Sequence, residues 1–326
     1  MDKKYFLADP ELAEALQSVS RLINQRIQIK NTNLEKALQN MASNGGKYLR
    51  PAFCLLFAKI TNPDDWDSGR LIKIAASLEI LHMATLIHDD VIDDSPERRG
   101  AVSIQAAFGK DTAVYSGDYL FTIFFDLLVE SMAKSPFLQT NARAMRQILF
   151  GELGQMDQRF NQHQALLSYF NNVNGKTATL FALAAHEGAY FAGADRQSAY
   201  LARRIGRLIG ISFQILDDTL DYSDGNHLNK PVLEDLATGV YSLPLLLVLR
   251  QYPDELAPLL NQGRQMTKED MQQVQSIVHA HQGSQQAQQM AAAFTHKALT
   301  LIDQLPHSAS QQLLKKLTTK LLTRTI

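Results

Sequence analysis

Cysteine is almost absent from this chain: among 326 residues there is one, Cys54. With no second thiol there is no intramolecular disulfide, so stability must come from a packed core, and a reducing compartment suits the protein. Cys54 itself sits in the apolar run FCLLFA, where a small buried hydrophobe is expected. Net charge is also nearly missing. The 32 basic and 33 acidic side chains leave −1, so no global field draws in nucleic acid or an anionic membrane, and any anion must be held by local basic groups. The chain opens without an apolar segment of signal-peptide type, and no run reads as long enough to cross a bilayer, which points to the cytoplasm. Runs alternating with period two are lacking, and with them the signal for strands. No Pro-, Gly- or Ser-rich linker and no fixed-period repeat divides the sequence.

What is present is apolar residues at three- and four-residue spacing. PELAEALQSVSRLINQRI, SGRLIKIAASLEILHMATLIHDD and RQSAYLARRIGRLIGISFQILDD are too long for strands, and short turns such as TNPDDWDSG, DDSPERRG, NNVNG and SDGNHLNKP separate such stretches. With 45% hydrophobic side chains the chain can bury a large core. The pattern predicts an all-α bundle of roughly ten or more helices in a single domain spanning 1–326. The amphipathic end, QQLLKKLTTKLLTRTI, reads as peripheral helix with a solvated basic face and at most peripheral membrane contact.

Two of these helices end in concentrated negative charge. LIHDDVIDDS sets Asp89, Asp90, Asp93 and Asp94 just before Pro96, which cannot continue a helix. A helix C-terminus is the negative end of the macrodipole, and Asp89 and Asp93 repel each other at i, i+4. A positive partner is therefore missing from the sequence. One isolated DDxxD is more often a solvated helix tip than a site, but the spacing recurs in FQILDDTLDYSDGN as Asp217, Asp218 and Asp221. Carboxylate oxygen suits Mg²⁺, which takes only one or two protein carboxylates and fills its shell with water and phosphate oxygens. Two such ends facing each other would hold several ions with open positions, and a diphosphate is the fitting ligand. The spacing does not supply an EF-hand loop.

Basic residues follow both ends, Arg98 and Arg99 the first and Lys230 the second, and near the start of the chain GGKYLRP adds Lys47 and Arg50. Each alone is an ordinary turn residue; together they suit a diphosphate gripped by point charges and planar forks. His82 and Gln214 each precede an aspartate by two helical turns on the same face, whereas His88 points away and is given a packing or orienting role. Lys176 and Thr177 open a further amphipathic helix that brings another cation.

Taken together, GGKYLRP, LHMATLIHDDVIDDSPERRG, SGDYLF, GELGQMDQRF, GKTATLF, FQILDDTLDY and KPVLEDLATGVYSLPLL resemble, in order and over nearly the whole chain, the trans-polyprenyl diphosphate synthases. The likeness is above all to component II of hexaprenyl and heptaprenyl diphosphate synthases. The resemblance implies the isoprenoid synthase fold, a helical bundle around a deep central cavity. It implies that Asp89, Asp90, Asp93, Asp217, Asp218 and Asp221 carry Mg²⁺, about three ions per active site. Asp89, Asp90, Asp93, Lys176, Asp217 and Asp218 become the catalytic set. Arg98, Lys176, Gln214 and Lys230 would meet the allylic diphosphate, Lys47, Arg50, His82 and Arg99 isopentenyl diphosphate, and Thr177 would bind substrate. The implied product is a medium- or long-chain all-trans polyprenyl diphosphate for a quinone side chain such as that of menaquinone. Ala84 and Thr85, small where short-chain members carry aromatic rings, would let the chain grow. The implied assembly is a homodimer, or a heterodimer with a small regulatory subunit. Geranylgeranyl or farnesyl diphosphate synthase and a noncatalytic subunit are the alternatives. Tyr48 departs from the family by standing where a second basic residue is usual, and ATGVYSLP lacks a lysine that short-chain members carry.

Overall fold

The periodic stretches fold as helices in a computed structural model that describes residues 9–44, 48–98, 100–223 and 233–322. Local chemistry sets many of the boundaries. α1 (Pro10–Arg26) begins where the Asp9 carboxylate accepts the Leu12 N–H, with Pro10 at the first helical position. The described residues of Met1–Ala142, Leu183–Arg203 and Leu305–Leu314 form one compact unit, and those of Arg143–Ala182, Arg204–Gln304 and Lys315–Ile326 a second. Each is assembled from separated stretches, which is why no linker marks a boundary in the sequence.

In the first unit α1 is followed by α2 (Thr32–Asn44), α3 (Leu49–Thr61), α4 (Gly69–Ile92), α5 (Ile104–Phe108) and α6 (Lys110–Met132). α4 packs on α1, α3 and α6. It is buried nearly all round, from Leu71 to Ile87, and each large side chain so enclosed contributes about 1.5–3 kcal/mol. Against expectation, α4 and α6 are long and apolar enough to cross a bilayer by length and composition. Within α4 67% of the apolar window is buried inside the protein, and within α6 44%. A second difference is a two-residue antiparallel pair, β1 (Glu97–Arg98) with β2 (Ala101–Val102), between α4 and α5.

α7 (Phe137–Asp157), α9 (Thr179–Phe191), α10 (Arg196–Leu220) and α16 (Ala309–Leu322) have residues in both units. The second unit also holds α8 (Leu166–Val173), α11 (Glu234–Ala237), α12 (Leu243–Leu249), α13 (Pro253–Leu260), α14 (Lys268–Ala280) and α15 (Gly283–Ile302). Its core joins Tyr169, Ile215, Tyr222, Leu246, Val274 and Ala287, with α12 packed on α15. Between α8 and α9 one turn, Asn174–Ala178, is π-helical: the Thr179 N–H reaches back five residues to the Asn174 carbonyl. A π turn sacrifices bond geometry and persists only where packing or function holds it.

Candidate active site

In the first unit, α4 ends within its own acidic motif. Asp89 and Asp90 lie in the last turn, Asp93 is the C-cap with its N–H on the Asp89 carbonyl, and Asp94 turns the chain at φ 54°. The helix thus stops before Pro96 is reached. The aspartates then divide by direction. Asp90 is 2% exposed, and Arg98 from β1 donates to its Oδ1 through Nε at 2.6 Å and through a second guanidinium nitrogen. Arg98, expected on a diphosphate, also pairs with the buried aspartate. Asp89 is half-buried and Asp93 exposed, one turn apart on the same face. Asp94 pairs with Lys110.

His82, on α4, and Arg50, on α3, are half-buried. His88 has Nε2 3.2 Å from the Val114 carbonyl and 3.5 Å from Asp118, with its ring against Phe121, which fits an orienting and packing role. Ala84 is fully buried and the Thr85 hydroxyl donates to the His82 carbonyl, so both fill little space on α4. Tyr48 is 1% exposed and its hydroxyl donates to the Ala42 carbonyl. It is a packing residue at the start of α3, which accounts for the absence of a base there. Lys47, Arg99 and Lys230 lie outside the described residues.

In the second unit α10 ends at Leu220, with Asp217 and Asp218 in the last turn and Asp221 just beyond. The division of direction repeats. Asp217 is exposed. Asp218 is 5% exposed; its Oδ2 accepts from the Tyr169 hydroxyl at 2.5 Å and its Oδ1 from Gln214 Nε2 at 2.8 Å. Burial first, then the negative field of Asp235, pushes its carboxyl up to about 8, against the two hydrogen bonds. Burial likewise keeps the Tyr169 phenol protonated, well above its usual range, so that it donates. Asp221 is pushed up to about 7, again by burial and then Asp235. Its Oδ1 accepts the Glu234 N–H, while Oδ2 is buried with no hydrogen-bond partner among the described residues.

Lys176 and Thr177 lie on the π turn rather than at the opening of an ordinary helix. The Thr177 hydroxyl donates to Gln214 Oε1 at 2.6 Å. Lys176 Nζ pairs with Glu152 at 2.9 Å and donates to Gln155 at 3.1 Å. Glycines let these backbones meet. A Cβ on Gly151 would come within 2.4 Å of the Lys176 nitrogen, and one on Gly210 within 2.6 Å of the Ala178 Cα. Thr177, Gln214 and Asp218 are thus linked between the π turn and α10, with Lys176 next to Thr177 along the chain. Sequence reasoning missed Glu152, Gln155, Tyr169 and Asp235 as participants. The glycines of GELGQMDQRF and NGKT were the available signal for the first two.

The donor set fits a divalent cation of the Mg²⁺ kind. Among the described residues no three His, Cys, Asp or Glu side chains form a ready-made cage. The buried Asp221 carboxylate, in the acidic field of Asp235, is a group that a cation would stabilise.

The profile of a family described as polyprenyl synthetase matches residues 31–281. Heptaprenyl diphosphate synthase component 2 of Geobacillus stearothermophilus is 32% identical over 94% of this chain and 94% of its own. Among solved structures, geranylgeranyl pyrophosphate synthase from Lactobacillus brevis superposes with a TM-score of 0.93 at 42% identity, over 99% of this chain and 100% of the other. A polyprenyl synthase from Caulobacter crescentus, complexed with calcium and isoprenyl diphosphate, gives 0.88 at 32% identity, over 96% of each chain.

Proposed function

This chain belongs to the polyprenyl synthetase family and is a trans-prenyltransferase, and from that premise we propose that it extends an allylic diphosphate, farnesyl or similar, with successive isopentenyl diphosphates. The product is a medium- or long-chain all-trans polyprenyl diphosphate for a quinone side chain. Each cycle ionises the allylic C–O bond, joins the allylic carbon to the alkene of isopentenyl diphosphate and releases a proton. The leaving diphosphate gains negative charge as the bond breaks. Fixed donors around it therefore bind the transition state more tightly than the ground state.

Lys176, Thr177 and Gln214, together with Arg98 and Lys230, are the proposed contacts of the allylic diphosphate; Lys47, Arg50, His82 and Arg99 those of isopentenyl diphosphate. Asp89, Asp90, Asp93, Asp217, Asp218 and Asp221 would hold Mg²⁺, about three ions as in the resemblance. When bound, these ions supply positive charge to the diphosphate oxygens. Asp90 and Asp218, bonded internally to Arg98 and to Tyr169 and Gln214, keep the two helix ends in shape. Glu152 and Gln155 hold the Lys176 ammonium in one orientation. No side chain is asked to act as nucleophile or general base; the released diphosphate takes the proton.

The observation that supports this reading most is the joining of Thr177, Gln214 and Asp218 by hydrogen bonds at the second acidic motif, with Lys176 next to Thr177 along the chain. The small, buried Ala84 and the half-buried Thr85 favour longer products. A geranylgeranyl product is the second reading, favoured by the 42% identity to the Lactobacillus brevis enzyme. Incubation with Mg²⁺, farnesyl diphosphate and labelled isopentenyl diphosphate tests both. Chromatography is expected to give prenyl diphosphates longer than geranylgeranyl. A single geranylgeranyl product would select the second reading, and no elongation, with a small regulatory subunit also supplied, would remove both.

A further inference from the structure

Four side chains of the second unit are linked end to end by hydrogen bonds: Tyr169 to Asp218, Gln214 to Asp218, and Thr177 to Gln214. They come from α8, α10 and the π turn. Tyr169, Asp218 and Thr177 are 5%, 5% and 6% exposed, so solvent offers little competition for these bonds. Gln214 gives its amide nitrogen to Asp218, which leaves its amide oxygen to accept from Thr177. One end of the chain is thus anchored by a tyrosine on an element that carries none of the residues assigned above. The other end is the residue beside Lys176, on a turn whose π geometry needs external support.

We propose that Tyr169 is a positioning residue for the allylic-diphosphate site: its hydroxyl fixes Asp218, and through Gln214 it sets Thr177 and the turn that carries Lys176. This rests on Lys176 and Thr177 being contacts of that diphosphate.

Tyr169→Phe removes the anchoring hydroxyl and keeps the ring in the core. The expected result is a rise of about tenfold in KM for the allylic diphosphate, the equivalent of one hydrogen bond. KM for isopentenyl diphosphate should change less than about twofold, and the melting midpoint should persist as a cooperative transition. The calorimetric Kd for inorganic diphosphate with Mg²⁺ should rise in parallel, a readout that needs no turnover. Thr177→Val attacks the same chain from its other end, and the double variant should resemble either single one rather than multiply their effects. Equal changes in both KM values, independent effects in the double variant, or an unaltered diphosphate Kd would overturn the proposal. Should Tyr169→Phe lose its folded transition, Thr177→Val must show the same split between substrates, and its absence there would overturn it equally. A wild-type chain that elongates nothing faults the underlying reading, whereas normal elongation and normal diphosphate affinity in Tyr169→Phe fault the positioning role alone.

Discussion

At Ala84 a single methyl group on α4 is fully buried five residues before Asp89. Ala84→Phe puts an aromatic ring at that level, so products separated by chromatography should shorten; an unchanged product length would count against a role in chain length. Glu187 makes a different prediction. It is fully buried, accepts from Asn141 Nδ2 at 2.6 Å, and is pushed up to about 8 by burial, against that hydrogen bond. An unfolded glutamate titrates near 4.3, so the folded chain binds the extra proton between these values. The stabilisation is complete below the unfolded pKa and disappears as pH rises through the folded one, at no more than about 1.4 kcal/mol per pH unit. Urea midpoints should therefore fall from pH 5 to pH 8 more steeply for the wild type than for Glu187→Gln, and parallel slopes would refute it. Some of this scale was legible in the sequence. Helical spacing puts Asp89 with Asp93, and Asp217 with Asp221, while Asp90 and Asp218 lie about 100° around the helix. Which partner would meet each inward carboxylate was not, because Tyr169 lies far from Asp218 along the chain.

Among the elements, helix ends were the most legible. Asp9 with Pro10, and the aspartates before Pro96, carry their own stop and start chemistry. The π turn was not legible, since no residue type prefers that geometry and the reason for it lies in α7 and α10. Gly151 is where that packing can be tested. A methyl group there meets the backbone at Lys176, which cannot yield as a side chain tip would. Gly151→Ala is expected to cost about 1–3 kcal/mol in denaturant unfolding and to weaken use of the allylic diphosphate. Gly69, in the first turn of α4, has nothing within 4 Å of its would-be Cβ. Gly69→Ala should instead stabilise by about 0.5–1 kcal/mol, and a loss at that position would contradict the helix geometry.

For the whole molecule, the family and helical class follow from motifs spread over the sequence, while the surface partner does not. Tyr115, Phe125 and Val129 on α6 are 74%, 47% and 59% exposed, and Leu149, Phe150 and Leu153 on α7 are 52%, 64% and 55% exposed. Apolar stripes of this kind are candidates for contact with another chain. A second copy or a small regulatory subunit is the expected occupant. Sedimentation of the chain alone separates the two, as dimer or monomer, and Phe125→Glu should weaken the assembly in either case; unchanged sedimentation or subunit binding would clear α6 of that role. Chelation with EDTA should abolish elongation and Mg²⁺ should restore it, whereas persistence after chelation would exclude the metal-dependent reading. The interleaving of the two compact units carries a practical consequence for fragment work. Because the first needs Leu183–Arg203 and Leu305–Leu314 as well as its amino-terminal stretch, expression of residues 1–142 alone yields an incomplete polypeptide with bared apolar surface, so dissection by truncation is the wrong tool and internal point variants the right one.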